Sequence, residues 1–216
     1  ESGEVTTLGR GGSDFSAALI AAATNASELQ IWTDVSGMYT ANPSIVKQAR
    51  PIDNISYQEA MELSHFGAKV LYPPTIVPVM LKNIPIVIKN TFAPQDNGTR
   101  ITNETSGNGK SVKGISNIEN IALLTLEGNG MVGVPGISKR LFGALADNNI
   151  NVKFITQASS EHSICIAINT EESLLAKEAV DKEFEFEILQ HKVNPLIIED
   201  NLAIIALVGD NMKSHQ

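Results

Sequence analysis

The 216-residue chain is short of cysteine, of long apolar runs and of positive charge. Its single cysteine, Cys165, can make no internal disulfide and sits in the apolar run Ser163-Ile-Cys-Ile-Ala-Ile168, so it reads as a small buried hydrophobe. No apolar run nears the ~18 residues of a transmembrane helix, which argues against a membrane partner. Sixteen basic against 24 acidic residues leave a net charge of -8, which argues against nucleic acid, whose binders carry a basic face. Nine of the acids and only three lysines fall between Glu171 and Asp200, most simply a solvated face. His65, His162, His191 and His215 lack metal-ligand spacing, and no Cys/His pair or Gly-x-Ser-x-Gly elbow occurs. Metal and acyl-enzyme chemistry are therefore not indicated. No charged-then-apolar leader is visible, so the expected compartment is the cytoplasm, and Asn-x-Ser/Thr matches at Asn25, Asn54, Asn97 and Asn103 are read as chance. The chain starts on Glu and opens almost directly into a strand-like run, which reads as a piece of something longer.

What is present is a 43% apolar sequence that can bury a real core. Residues 4–8 read as a strand, Gly9 to Gly12 as a turn, and Ser13 or Asp14 as the cap of a helix through Ala26, with Phe15, Ala18, Leu19 and Ala22 on one face. Leu29 to Thr33 is a second strand. Ser56 and Glu59 form a capping box, Pro73-Pro74 break that helix and can start the next, and Pro85 to Asn90 is a buried strand. Strands alternating with helices predict an α/β layout with a parallel sheet. The Asn-, Gly-, Thr- and Ser-rich stretch Ala93 to Lys110 reads as the domain boundary. Beyond it, strands at 121–127, 151–156, 162–169 and 185–193 alternate with helices at 137–148 and 171–184, the latter with Leu174, Leu175 and Val180 as its apolar positions. That is βαββαβ, a ferredoxin-like α+β plan. Ile121–Met131 also aligns without gaps to Leu202–Met212, so one complete unit is followed by the first strand of another.

Three motifs carry chemistry. Thr7-Leu-Gly-Arg-Gly-Gly-Ser-Asp14 leads glycines into a helix N-terminus, where an anion is favoured. Arg10 offers a bidentate fork for a carboxylate or phosphate, and Ser13 and Asp14 a donor and an acceptor; a capped helix with a solvated arginine is the plainer alternative. Trp32-Thr-Asp-Val-Ser-Gly-Met-Tyr39 puts Thr33 and Asp34 at a strand's C-terminal end, where open α/β sheets bind ligands, although Asp34 could merely open an Asx turn. Gly67-Ala-Lys-Val-Leu71 places Lys69 in an apolar stretch, from which it could reach a phosphate or snorkel to solvent. Gly128-Asn-Gly-Met-Val-Gly133 matches a dinucleotide fingerprint but lacks the crossover helix and the ribose-binding acid, so it reads as a tight turn or a loop approached by a small ligand or a partner chain.

Together these motifs, with Tyr57-Gln-Glu-Ala-Met-Glu-Leu63, Phe66-Gly-Ala-Lys-Val-Leu71, Lys113-Gly-Ile-Ser-Asn117 and Ile155-Thr-Gln-Ala-Ser-Ser-Glu-His-Ser163, closely resemble the aspartate kinases over essentially the whole chain. They are most similar to the kinase half of the bifunctional aspartokinase–homoserine dehydrogenase type. The resemblance implies the C-terminal part of an α/β amino-acid-kinase domain, residues 1–112, then an α+β ferredoxin-like ACT region, residues 113–216, with a first ACT at about 119–198 and a second starting at about 199. It implies ATP and Mg²⁺ as cofactors, aspartate as substrate, threonine as effector and a homo-oligomer formed through ACT domains. Arg10 and Ser13 would then hold aspartate, Asp14 would lie near the reacting groups, Thr33, Asp34, Tyr39 and Lys69 would face the nucleotide, and Ile155 and Gln157 the effector. Two departures stand out: Asn42-Pro43-Ser44 replaces a family Asp-Pro-Arg, and the family's Lys-Phe-Gly-Gly-Thr segment is missing, so the fragment alone is expected to be inactive. Two alternatives remain: a non-catalytic amino-acid-binding module, or an amino-acid kinase acting on another carboxylate.

Overall fold

The computed structural model describes residues 9, 11–67, 70–104, 112–157, 162–210 and 212. The expected strand over 4–8, Arg10, Lys69 and the turn at 158–161 lie outside these residues. The chain forms two compact units, Glu1–Asn117 with Ile205–Gln216, and Ile118–Ile204. The division therefore falls at Asn117/Ile118 rather than in the polar stretch 93–110. Part of that stretch, Thr99–Thr102, pairs as a strand in the first unit's sheet.

In the first unit, helix α1 runs over Gly12–Thr24, strand β1 over Leu29–Thr33, β2 over Asn54–Ser56 and helix α2 over Tyr57–His65. A 3-10 turn at Pro73–Thr75, α3 at Ile76–Met80, β3 at Ile86–Asn90 and β4 at Thr99–Thr102 complete it. The sheet order is β1-β3-β4-β2. It is mixed rather than parallel: β1 runs parallel to β3, β4 antiparallel to β3, and β2 parallel to β4. The short connection from β3 to β4, Thr91–Gly98, is the reason, since a parallel crossover needs about a dozen residues. Ile86, Ile88 and Ile101 are fully buried, with Leu29 and Ile31 beside them, and α1 adds Ala18 and Ala21.

The cap of α1 differs from expectation. Gly11 is its N-cap, at a left-handed φ of 75°, and Ser13 and Asp14 lie inside the first turn. A side chain on Gly11 would run into Tyr72, so close packing takes the place of a capping oxygen. Leu19 is half exposed, and Ala21 replaces it on the buried face. The α2 capping box forms as read: Ser56 Oγ accepts from Glu59 N at 3.0 Å and Glu59 Oε2 from Ser56 N at 3.0 Å, an arrangement that contributes about 1 kcal/mol.

The second unit holds most of β5 (Gly114–Glu127) and of β8 (Ile197–Val208), whose outer ends lie in the first unit, with α4 at Ile137–Asp147, β6 at Phe154–Thr156, β7 at Ser163–Asn169, α5 at Ser173–Glu183 and α6 at Glu185–Leu189. The order β6-β7-β5-β8 is that of a ferredoxin-like sheet. β7 pairs antiparallel with both β5 and β6, and Leu124, Leu126, Ile166 and Ile168 form the centre of the core. The fourth strand is displaced from its expected place. Phe186 and Ile188 alternate with glutamates as a strand would, yet they form helix α6, because Ile188 and Phe184, the turn residue before α6 and four positions away, both reach the core while Phe186 stays exposed. On α5, Val180 is buried as expected, together with Ala176, whereas Leu174 and Leu175, expected beside it, are exposed. Cys165 is half-buried, its Sγ 3.4 Å from Thr125 Oγ1. Among the described residues no helix is long and apolar enough to cross a membrane.

Candidate functional site

β1 ends at Thr33 and delivers Thr33, Asp34 and Val35 to one wall of a cavity of about 420 Å³ in the first unit. Thr33 Oγ1 donates to Asp34 Oδ1 at 3.1 Å, which orients the carboxylate at the strand's end. The following turn is strongly held. Ser36 Oγ donates to Asp96 Oδ2 and accepts from Asn90 Nδ2 at 2.9 Å. Gly37, at φ 109°, lies so close to Thr99 that a Cβ would collide with it. Thr99, fully buried, accepts from Met38 N at 2.8 Å and donates to Ile52 O at 2.6 Å. Tyr39 forms an isolated bridge with Pro51 and lines the cavity beside Ala41, Asn42 and Pro43. Asn42 Oδ1 accepts from both the backbone and the hydroxyl of Ser44, closing a local turn.

The opposite wall comes from Leu63 of α2, Gly67, Val70 and the start of β5, Ile115 to Asn117. Ser116 Oγ donates toward Leu63 O at 3.1 Å and Phe66 O at 2.6 Å. Gly67 has φ 121° and sits against the Asn117 carbonyl with no room for a Cβ. Ile115 N donates to Thr40 O at 2.8 Å, which ties this wall to the Tyr39 turn. Apolar side chains of Val35, Leu63, Val70 and Ile115 beside a few polar groups suit a flat heterocycle carrying a polar tail, and the volume is in the usual range of ligand pockets. A nucleoside fits this description. Asp34 is the one carboxylate among the described lining residues, and no group of three or more metal-ligating side chains occurs among the described residues. A divalent ion here would therefore be held largely by a ligand's own phosphates.

Thr33, Asp34 and Tyr39 are thus brought together. Ser13 and Asp14 lie on α1, with Ser13 Oγ donating to Asp14 Oδ1 at 3.3 Å, and neither lines this cavity. Arg10 and Lys69 are outside the described residues. The wall at 115–117 was not singled out as a site; the quoted run Lys113–Asn117 was its signal.

A second cavity, of about 370 Å³, lies in the second unit between the loop after β5, the start of α4, Gln157 and Ile164. Gly128 and Gly130 are pressed against Lys192, and Gly130 N donates to Lys192 O at 2.8 Å, so this glycine run works as a tight turn. Gly136, at φ 92°, is the N-cap of α4 and supplies no side-chain oxygen, while Ile137 and Ser138 in its first turn line the cavity. A helix N-terminus facing an open space beside an exposed amide side chain suits the carboxylate of a small zwitterion. Ile155, two residues before Gln157 on the edge strand, is half exposed and is not among the lining residues. Behind the cavity α4 is clamped: Arg140 reaches Glu183 Oε1 at 2.7 Å and Glu187 Oε1 at 2.6 Å, with its guanidinium over the Phe184 ring. The bond from Arg140 holds the Glu187 carboxyl below the usual carboxylate range, and the bonds from Glu187 and Glu183 push the guanidinium further up.

Comparison with known proteins agrees with both units. The amino acid kinase family model matches residues 1–90 and an ACT domain model residues 124–184. A bifunctional aspartokinase/homoserine dehydrogenase of Haemophilus influenzae is 45% identical over 213 residues, covering 99% of this chain and 26% of that protein. Escherichia coli aspartokinase III in complex with aspartate and ADP superposes with a TM-score of 0.78 at 35% identity, over 97% of this chain and 46% of that one. The same enzyme in complex with lysine and aspartate gives 0.78 at 37% identity, over 96% and 45%. The chain thus spans about a quarter of the bifunctional relative and under half of the other. With an amino acid kinase part followed by an ACT domain, and with this similarity along its whole length, the chain belongs to the aspartokinase family.

Proposed function

We propose that this chain supplies the nucleotide-binding half of an aspartate kinase together with the regulatory unit that controls it. The observation that carries this is the convergence of Thr33, Asp34 and Tyr39 on one cavity of nucleotide size in the kinase-type unit. In this reading the base lies against Val35, Leu63, Val70 and Ile115, and Thr33, Asp34 and Tyr39 fix the ribose and direct the phosphates, with Lys69 offsetting phosphate charge. Arg10 and Ser13 hold the carboxylates of aspartate, and Asp14 stands near the reacting groups. The γ-phosphoryl of ATP passes to the side-chain carboxylate of aspartate, giving ADP and an acyl phosphate. Such transfer relies on positioning and charge neutralisation, and Mg²⁺ supplies the latter when bound through the phosphates.

The second cavity is the effector site in this reading, with Gln157 and the N-terminus of α4 taking a small amino acid. Threonine is the expected effector, although an aspartokinase relative has been crystallised with lysine. Inhibition requires that the effector bind a less competent conformation more tightly. Ile155, exposed on the edge strand, stands where a second subunit can pair, which supports a homo-oligomer formed through the ACT unit. The test of the nucleotide assignment is Asp34→Asn in the complete protein. It should raise the KM for ATP roughly tenfold or more while leaving the KM for aspartate near wild type. An unchanged KM for ATP would remove Asp34 from the site.

A further inference from the structure

Both places where the chain crosses between the units, Asn117–Ile118 and Ile204–Ile205, are flanked by segments that belong to the first unit. Those two flanks are hydrogen-bonded to one helix. At the N-terminal end of α2, the buried Glu59 has one carboxylate oxygen in the capping box, while the other, Oε1, accepts from Asp210 N at 3.0 Å, 151 residues away. A capping box works equally with glutamine. Two N–H groups arriving from different segments need two acceptor oxygens, which only the carboxylate provides. At the C-terminal end of α2, the buried Ser116 donates to the carbonyls of Leu63 and Phe66, groups that a helix end leaves without an internal partner. The flanks are also joined to each other, since Lys113 N donates to Val208 O at 2.8 Å, and Val208 is buried in the first unit's core.

We propose that Glu59 and Ser116 are positioning residues: they pin the two ends of α2 to the segments that enter and leave the regulatory unit, so that those segments set the cavity wall formed by Leu63 and Gly67. The geometry leaves little slack. Gly67 already lies against the Asn117 carbonyl, and Ile115 holds Thr40 in the facing turn. A displacement of about 1 Å takes the 2.6 Å bond of the Ser116 flank or the 3.0 Å bond of the Asp210 flank beyond bonding range, unless the cavity wall moves with the flank. This inference rests on the nucleotide reading of that cavity.

The test is calorimetric titration of the complete protein with Mg·ADP, with and without saturating threonine or lysine, on wild type, Glu59→Gln and Ser116→Ala. Thr24→Ala, which removes a hydroxyl-to-carbonyl bond on the outer part of α1, is the control. Each pinning variant should weaken ADP binding about 3- to 10-fold, the loss of roughly one hydrogen bond. Each should also lose at least half of the amino acid's effect on ADP affinity, while the amino acid's own affinity stays within about twofold. A merely structural role would lower the melting temperature and leave these affinities and their coupling alone. Variants that bind ADP and respond as wild type does would overturn the inference, with the nucleotide reading intact. A wild-type protein that binds no ADP would overturn the nucleotide reading, and this inference with it. If neither amino acid alters ADP binding in wild type, the effector assignment fails and the ADP affinities of the two variants still decide.

Discussion

Replacing Thr99 by valine tests how the cavity proposed for the nucleotide is held open. The side chain is fully buried and nearly the same shape as valine, so the substitution removes a hydroxyl without leaving a void. That hydroxyl accepts from Met38 N and donates to Ile52 O, at 2.8 and 2.6 Å. Valine leaves the Met38 N–H unsatisfied in the interior and takes a donor from the Ile52 carbonyl. Each loss costs about 1–3 kcal/mol when the group stays dry, so together we expect about 2–4 kcal/mol. For a unit of this size that lowers the melting temperature by roughly 5–15 °C. Thr99→Ser keeps both bonds and removes one methyl, for about 1 kcal/mol. Since Met38 lies between Gly37 and the cavity-lining Tyr39, ADP affinity should fall in Thr99→Val and hold in Thr99→Ser. Thermal unfolding followed by circular dichroism, with ADP titration, separates the two. Equal stability of the valine and serine variants would refute the reasoning.

Gly67→Ala forces a side chain into left-handed backbone against the Asn117 carbonyl, so it should cost at least about 2 kcal/mol and weaken ADP binding; wild-type behaviour in both assays would contradict the close approach. Arg140 lowers the folded-state pKa of Glu187, so its stabilisation is present above the unfolded glutamate value and is lost as pH falls through the lower folded one. Melting temperatures between about pH 7 and pH 3 should therefore fall less steeply in Arg140→Met than in wild type, by a small margin because both partners are partly exposed; parallel curves would count against the clamp. Gln157→Ala should weaken inhibition by the effector several-fold while leaving uninhibited turnover near normal, and unchanged inhibition would remove Gln157 from the proposed effector site.

Periodicity and capping chemistry made much of the fold legible. The Ser56–Glu59 capping box, β1 at Leu29–Thr33 and the βαββα core of the second unit follow from local rules that packing did not override. The failures have physical causes. The Phe184–Ile188 alternation imitates a strand, and tertiary contacts of Phe184 and Ile188 decide for helix. A polar composition at 93–110 suggested a linker, yet Thr99 and Ile101 in it are buried strand residues. Thr33, Asp34 and Tyr39 were singled out because the first two sit at a strand's C-terminal end in a specific motif; all three line one cavity. The wall at Ile115–Asn117 lay within the quoted run Lys113–Asn117 but was not read as part of a site, since long-range bonds to α2 and Thr40 bring it to the cavity.

The most direct test of the account is aspartyl-phosphate formation by the complete protein, trapped as the hydroxamate, with ATP, Mg²⁺ and aspartate, in the presence and absence of threonine and of lysine. The account predicts hydroxamate that depends on both ATP and aspartate and that threonine suppresses. Activity indifferent to threonine would contradict the effector assignment, and no hydroxamate from folded protein with both substrates present would contradict the kinase itself.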